Sequence, residues 1–137
     1  MDMQAIWALV LWVLGIWGWS GITFEVRSAE MALAAAITTP AESRTSFTID
    51  LDPWAWAAAD EDQQRRRILH EVGHGVGYFN REPGADPLWR DHSDDPASVM
   101  YPYYAPGQQV LPADRLLLLA TTRYWQPYKA VVPGLAR

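Results

Sequence analysis

Cysteine is absent from the 137 residues, which excludes a disulfide framework, a thiolate metal site and a cysteine nucleophile. Histidine is almost as scarce, with only His70, His74 and His92 present. Any bound metal must therefore be held by these three together with Asp or Glu. Positive charge is in short supply as well: 11 Lys and Arg stand against 16 Asp and Glu, for a formal charge of −5. With no extended basic run, that balance argues against nucleic acid and anionic membrane as main partners.

Charge is missing altogether between Met3 and Phe24, a stretch that holds Trp7, Trp12, Trp17 and Trp19. Its length just suffices for a span of about 20 residues. No Lys or Arg precedes it and Asp2 is the only charged side chain there, so it lacks both the basic start of a signal peptide and a positive-inside cue. Tryptophans spread through its middle, with Gly15, Gly18 and Gly21, fit a lipid-facing span poorly. The reading is a helix from about Met3 to Trp17, buried on most sides and ended by the glycines that follow. Membrane association through residues 3–24, or a face that docks a missing segment or a partner, are the alternatives.

Half of the chain is apolar, enough to build a core, and 137 residues fit one domain. Ile22 to Arg27 and Phe47 to Leu51 alternate apolar and polar residues, the period of half-buried strands. The Ala-rich stretch from Met31 to Thr39 is compatible with helix or strand. Asp60 followed by Gln63 forms a capping box that opens a helix from about Glu61 to Gly77. Residues 78–111 are punctuated by prolines and glycines and read as loop, after which Pro112 opens a last helix to Tyr124. The expected class is α+β.

Inside the second long helix lies His70-Glu71-Val72-Gly73-His74, the HExxH pattern. Residues four apart lie on one helix face, so both imidazoles reach one ion. Glu71 then stands beside the metal, placed to take a proton from water and not to bind the ion. Gly73, Gly75 and Gly77 each cost a helix about 1 kcal/mol relative to Ala. Close packing under the metal and a sharp turn at Gly77 account for that cost better than a frayed helix end does, since fraying leaves Gly73 unexplained.

Two histidines leave a zinc site one ligand short. Here the chain resembles the metzincin metalloproteases, and among them the matrixins, whose signature is HExxHxxGxxH followed by a Met-turn. His70, Glu71, His74 and Gly77 match its first eight positions, but Asn80 stands where the family has its third histidine. The string from His92 through Ser93, Asp95-Pro96 and Met100-Tyr101-Pro102 is similar to the matrixin continuation. The signature is thus read as interrupted by twelve extra residues, with the loop Tyr78 to Asp91 bulging out and returning at His92. Asp91, Asp86 and Asn80 remain the alternatives for the third ligand. The resemblance implies a metzincin-like minimal catalytic domain, with a small twisted sheet, a first helix, an active-site helix and a final helix. It implies Zn2+ held by His70, His74 and His92, Glu71 as catalytic base, and Met100 as the Met-turn methionine. It further implies Pro102 and Tyr104 as walls of the pocket for the residue after the scissile bond, and Phe47 to Trp54 as the edge strand beside a peptide or protein substrate. Family members are often secreted, whereas no clear export signal is present here, so the compartment stays open.

The function expected is zinc-dependent endopeptidase. Its rivals are a zinc protease with a downstream Glu ligand (Glu82 is the only candidate, eight residues past His74), a zinc-binding inactive homologue or peptide-binding module, and a membrane-associated interaction protein built on residues 3–24. The intact Glu71 argues against mere metal storage.

Overall fold

The computed structural model describes residues 1–19, 21–41, 45–78 and 86–124. Helix α1 (Met3–Trp17) begins where the Asp2 carboxylate accepts the Ala5 N–H at 3.1 Å. It ends at Gly18, whose φ of 82° is left-handed and costs a glycine nothing. Strands β1 (Thr23–Ser28), β2 (Ala36–Pro40) and β3 (Ser46–Leu51) form one sheet in the order β1-β3-β2. β1 runs parallel and β2 antiparallel to β3. Four helices follow: α2 (Pro53–Ala58), α3 (Glu61–Gly75), α4 (Pro87–Arg90) and α5 (Pro112–Tyr124). The architecture is α+β.

Helix α3 packs on the sheet through β2 and β3 and on α1. The core between them joins Val10, Val13 and Trp17 of α1, Phe47, Ile49 and Leu51 of β3, Ile68 and Val72 of α3, and Val99 and Met100. Burial alternates strictly along β3, as its period predicts. Helix α1 is covered on one face only. Ile6, Val10, Val13, Leu14 and Trp17 are buried, while Trp7, Leu11 and Trp12 are about half exposed at 49%, 46% and 55%. The expectation of a helix buried on most sides is corrected to that extent. Among the described residues no helix is long and apolar enough to cross a membrane.

Two further expectations change. The segment Phe47 to Trp54 is not an edge strand: β3 is paired on both sides, and the edges are β1 and β2, the latter at the end of the Ala-rich stretch whose type the sequence left undecided. Trp54 belongs to α2, which Asp52 caps by accepting the Ala55 N–H at 2.8 Å, with Pro53 in the first turn. Asp52-Pro53 therefore starts a helix as well as closing a strand. The span read as loop, 78–111, contains the single turn α4.

Gly75 lets α3 approach the sheet. A Cβ there would lie 2.6 Å from Cγ of Phe47, a ring 2% exposed at the centre of the sheet. Helix propensity favours Ala by about 1 kcal/mol, but overpacking a filled core costs about 1–3 kcal/mol, and the buried ring has nowhere to go. Gly75→Ala is expected to lower the unfolding free energy by about 1 kcal/mol in urea titration; a stabilised variant would show that the Phe47 ring yields.

Candidate metal centre

One turn of α3 sets His70 and His74 side by side, and the chain returns from α4 to bring His92 against them. His70 Nε2 lies 3.1 Å from His74 Nε2 and 3.2 Å from His92 Nε2, and the three ligand atoms fall within 4.8 Å of one another. A tetrahedral ion with bonds of about 2.0–2.1 Å to nitrogen separates its ligands by roughly 3.3–3.4 Å. The spacing fits an ion held at the apex of the triangle. Among the described residues these three are the group arranged to hold a metal.

The hydrogen bonds behind the rings decide which nitrogen carries the proton. His70 Nδ1 lies 2.7 Å from the Val99 carbonyl and His92 Nδ1 lies 2.6 Å from the Leu88 carbonyl. A carbonyl oxygen only accepts, so both Nδ1 atoms donate, and both Nε2 atoms present lone pairs toward the common centre. Two lone pairs facing across 3.2 Å repel in the absence of a cation and are drawn together by one. Burial lowers the pKa of all three rings. His70 is held well below the ordinary imidazole value by desolvation, then by its neighbours His74 and Arg66. His74 is pushed down to about 3 by desolvation, with His92 and Arg66 adding repulsion. His92 is lowered by desolvation, partly offset by its bond to Leu88 and by Asp91. Neutral imidazole is the ligating form.

Glu71 is 8% exposed, and its carboxylate accepts a hydrogen bond of 2.5 Å from the hydroxyl of Thr38 on β2. Burial raises its pKa, against the Thr38 bond and the cations Arg66 and Arg67. A carboxylate moved up toward neutrality is suited to taking and returning a proton.

Beneath the helix, Met100 is fully buried. A Cβ on Gly73 would run into its Sδ and meet Trp17 Cζ2 at 2.7 Å, so only glycine lets α3 rest on this pair. Gly77 turns the chain with φ 91°, as its place in the motif leads one to expect. The segment carrying Met100 is tied down by Asp114 of α5, 1% exposed, whose carboxylate accepts from Ser98 Oγ at 2.8 Å, Tyr78 Oη at 3.2 Å and the Leu111 N–H at 2.8 Å.

Around the triad lies a cleft of about 690 Å³ whose lining includes Ala36, Ile37, Thr38 and Pro40 of β2 and Asp91, His92, Pro102 and Tyr104. Pro102 and Tyr104 line this cleft, and Tyr104 donates to Asp62 at 2.9 Å. Asp91 lines the cleft without joining the triad, and Asp86 caps α4 by accepting the Leu88 N–H. Asn80 and Glu82 lie outside the described residues. Thr38, Arg66 and Arg67 were missed from sequence. Arg66 and Arg67 stand four residues before His70 and Glu71 on the same faces of α3, a signal that was there to use. Nothing in the sequence singled out Thr38.

The chain matches no protein-family model, no curated protein and no solved structure. The site rests on its own geometry.

One divalent transition ion per chain is expected by native mass spectrometry. His92→Ala is expected to abolish that stoichiometry and Asn80→Ala to preserve it; the reverse result would return the third ligand to the inserted loop.

Proposed function

We propose that this protein is a zinc-dependent endopeptidase of metzincin type, matrixin-like in its interrupted signature. The observation that carries the reading is the convergence of three imidazoles, two with their Nδ1 atoms against carbonyls, in the same cleft as the buried carboxylate of Glu71. Nitrogen ligands in a three-histidine set favour zinc, with a fourth position left for chemistry. Bound zinc supplies Lewis acidity to the scissile carbonyl and to the attacking water.

The chain's own residues do the rest. Glu71 takes the proton of the attacking water and returns it to the leaving amine, and the Thr38 hydroxyl holds the carboxylate in place between the two transfers. Strand β2 is an edge, so an extended peptide can add to it through backbone hydrogen bonds. Pairing antiparallel to β2, the peptide runs from the Pro40 end to the Ala36 end, and the residues after the scissile bond lie toward Ala36. Pro102 and Tyr104 line the same cleft, Tyr104 tied to Asp62 near the start of α3, and are assigned to the wall for the side chain after the scissile bond. The carboxylate partner argues against pure metal storage, since holding an ion does not require Glu71.

Glu71→Gln is expected to keep its zinc and lose about 10²–10⁴-fold in kcat, read as chelator-sensitive cleavage of a denatured protein substrate. Undiminished hydrolysis would remove Glu71 from the mechanism, and metal without turnover in the unaltered protein would give the zinc-stabilised binding module instead.

A further inference from the structure

The cleft is not neutral along its length. Its lining includes two guanidinium groups, Arg66 and Arg67, one turn before His70 and Glu71. The two differ in what they are doing. Arg66 is spent on the wall: its Nε donates to Gln108 Oε1 at 2.7 Å, and its Nη2 donates to the carbonyls of Tyr101 at 2.5 Å and Tyr103 at 3.3 Å. Arg67 makes one hydrogen bond among the described residues, from Nη1 to the Ala55 carbonyl at 3.2 Å, and no ion pair there. A guanidinium has five N–H donors.

The two carboxylates nearest in effect to Arg67 are both engaged elsewhere. Asp52 accepts the Met31 N–H at 2.7 Å and the Ala55 N–H at 2.8 Å, and Glu71 accepts from Thr38. Burial pulls the Arg67 pKa down, with Glu71 and Asp52 offsetting it only in part. A half-buried cation in a substrate cleft, most of its donors unspent, is matched by a planar anion that takes two parallel N–H bonds. Location fixes where along the peptide this happens. Ala36 pairs with Leu51, and the Asp52 N–H bonds the Ala35 carbonyl, so Ala55, Arg67 and the start of β2 share one end of the cleft.

We propose that Arg67 is a specificity residue that binds a carboxylate on the C-terminal side of the scissile bond, with Arg66 holding the wall behind it. This rests on the endopeptidase reading and gives it a substrate class: peptides with Glu or Asp after the cleaved bond, or peptides whose own C-terminus falls there. It runs against the chain's overall charge of −5, which by itself disfavours acidic peptides. The selectivity is therefore local and depends on the guanidinium.

The test uses zinc-loaded full chain and one peptide scaffold with Glu, Gln, Leu or Lys after the scissile bond, each as C-terminal acid and amide, plus a set truncated so that the free carboxylate occupies that place. Glu over Gln is expected to raise kcat/KM by about tenfold or more. Arg67→Gln should bring that ratio to about one, Arg67→Lys should keep part of it, and Arg67→Glu should turn the preference toward Lys. A preference confined to the truncated acids assigns the subsite to a chain terminus. Anisotropy of labelled peptides on the Glu71→Gln protein reads the same preference without turnover. Equal binding and cleavage of Glu and Gln peptides, or a preference unmoved in Arg67→Gln, overturns the proposal. Charge-selective binding with no cleavage of any peptide overturns the endopeptidase reading and leaves the carboxylate subsite standing.

Discussion

Two hydrogen bonds to backbone carbonyls govern this site: His70 to Val99 and His92 to Leu88. Each fixes a tautomer, and each fixes the plane of a ring. The acceptors flank His92 in the chain, Leu88 from α4 before it and Val99 from the turn before Met100 after it. The backbone that delivers the third histidine thus also orients the first. The arrangement is costly while no cation is bound, because lone pairs are desolvated and aimed at one another. The surrounding fold over-determines it: Asp114 holds Ser98, Ser98 holds the Met100 N–H, and the Met100 carbonyl accepts from Ser93 next to His92. Preorganisation of this kind moves the ordering cost from binding to folding.

Steric fit completes the constraint. Gly73 rests on Met100 and Trp17, and Gly75 on Phe47, so α3 sits closer to what lies beneath it than any side chain would allow. Trp17 also donates its indole N–H to the Leu69 carbonyl at 2.9 Å, which ties α1 to the helix one residue before the first ligand. The apolar first helix thereby serves the site directly. On its outer side Trp7 lies tilted against Phe24, which in turn stacks on Phe47.

Much of this was readable before any coordinates. The capping box at Asp60 and Gln63, the alternation from Phe47 to Leu51, the glycine stop after Trp17 and the proline start at Pro112 are local signals, and each element formed where its signal stood. The HExxH spacing placed His70, Glu71 and His74 on one helix face because four residues make one turn. His92 was readable by scarcity and by the motif that follows it. What escaped were relations across the fold. Alternation identified β3 as a strand but carries no information on whether its edges are paired, so the edge went to the wrong strand. Strand β2 reads Ala-Ile-Thr-Thr-Pro with Ile37 on the exposed side, so it shows no apolar alternation, and Thr38 within it gains its meaning only from the approach of Glu71. The spare donors of Arg67 are invisible until its neighbours are known to be occupied.

Arg66 joins two parts of the cleft that differ in kind. It projects from the helix that bears His70 and His74, yet it grips the opposite wall at Tyr101, Tyr103 and Gln108. The cleft is therefore spanned there by a tie rooted in the same helix as His70 and His74. Widening it requires breaking a bond to a charged donor or moving the helix itself. The width of the cleft at this end is thus set by a side-chain strut anchored on α3 and not by a loop alone.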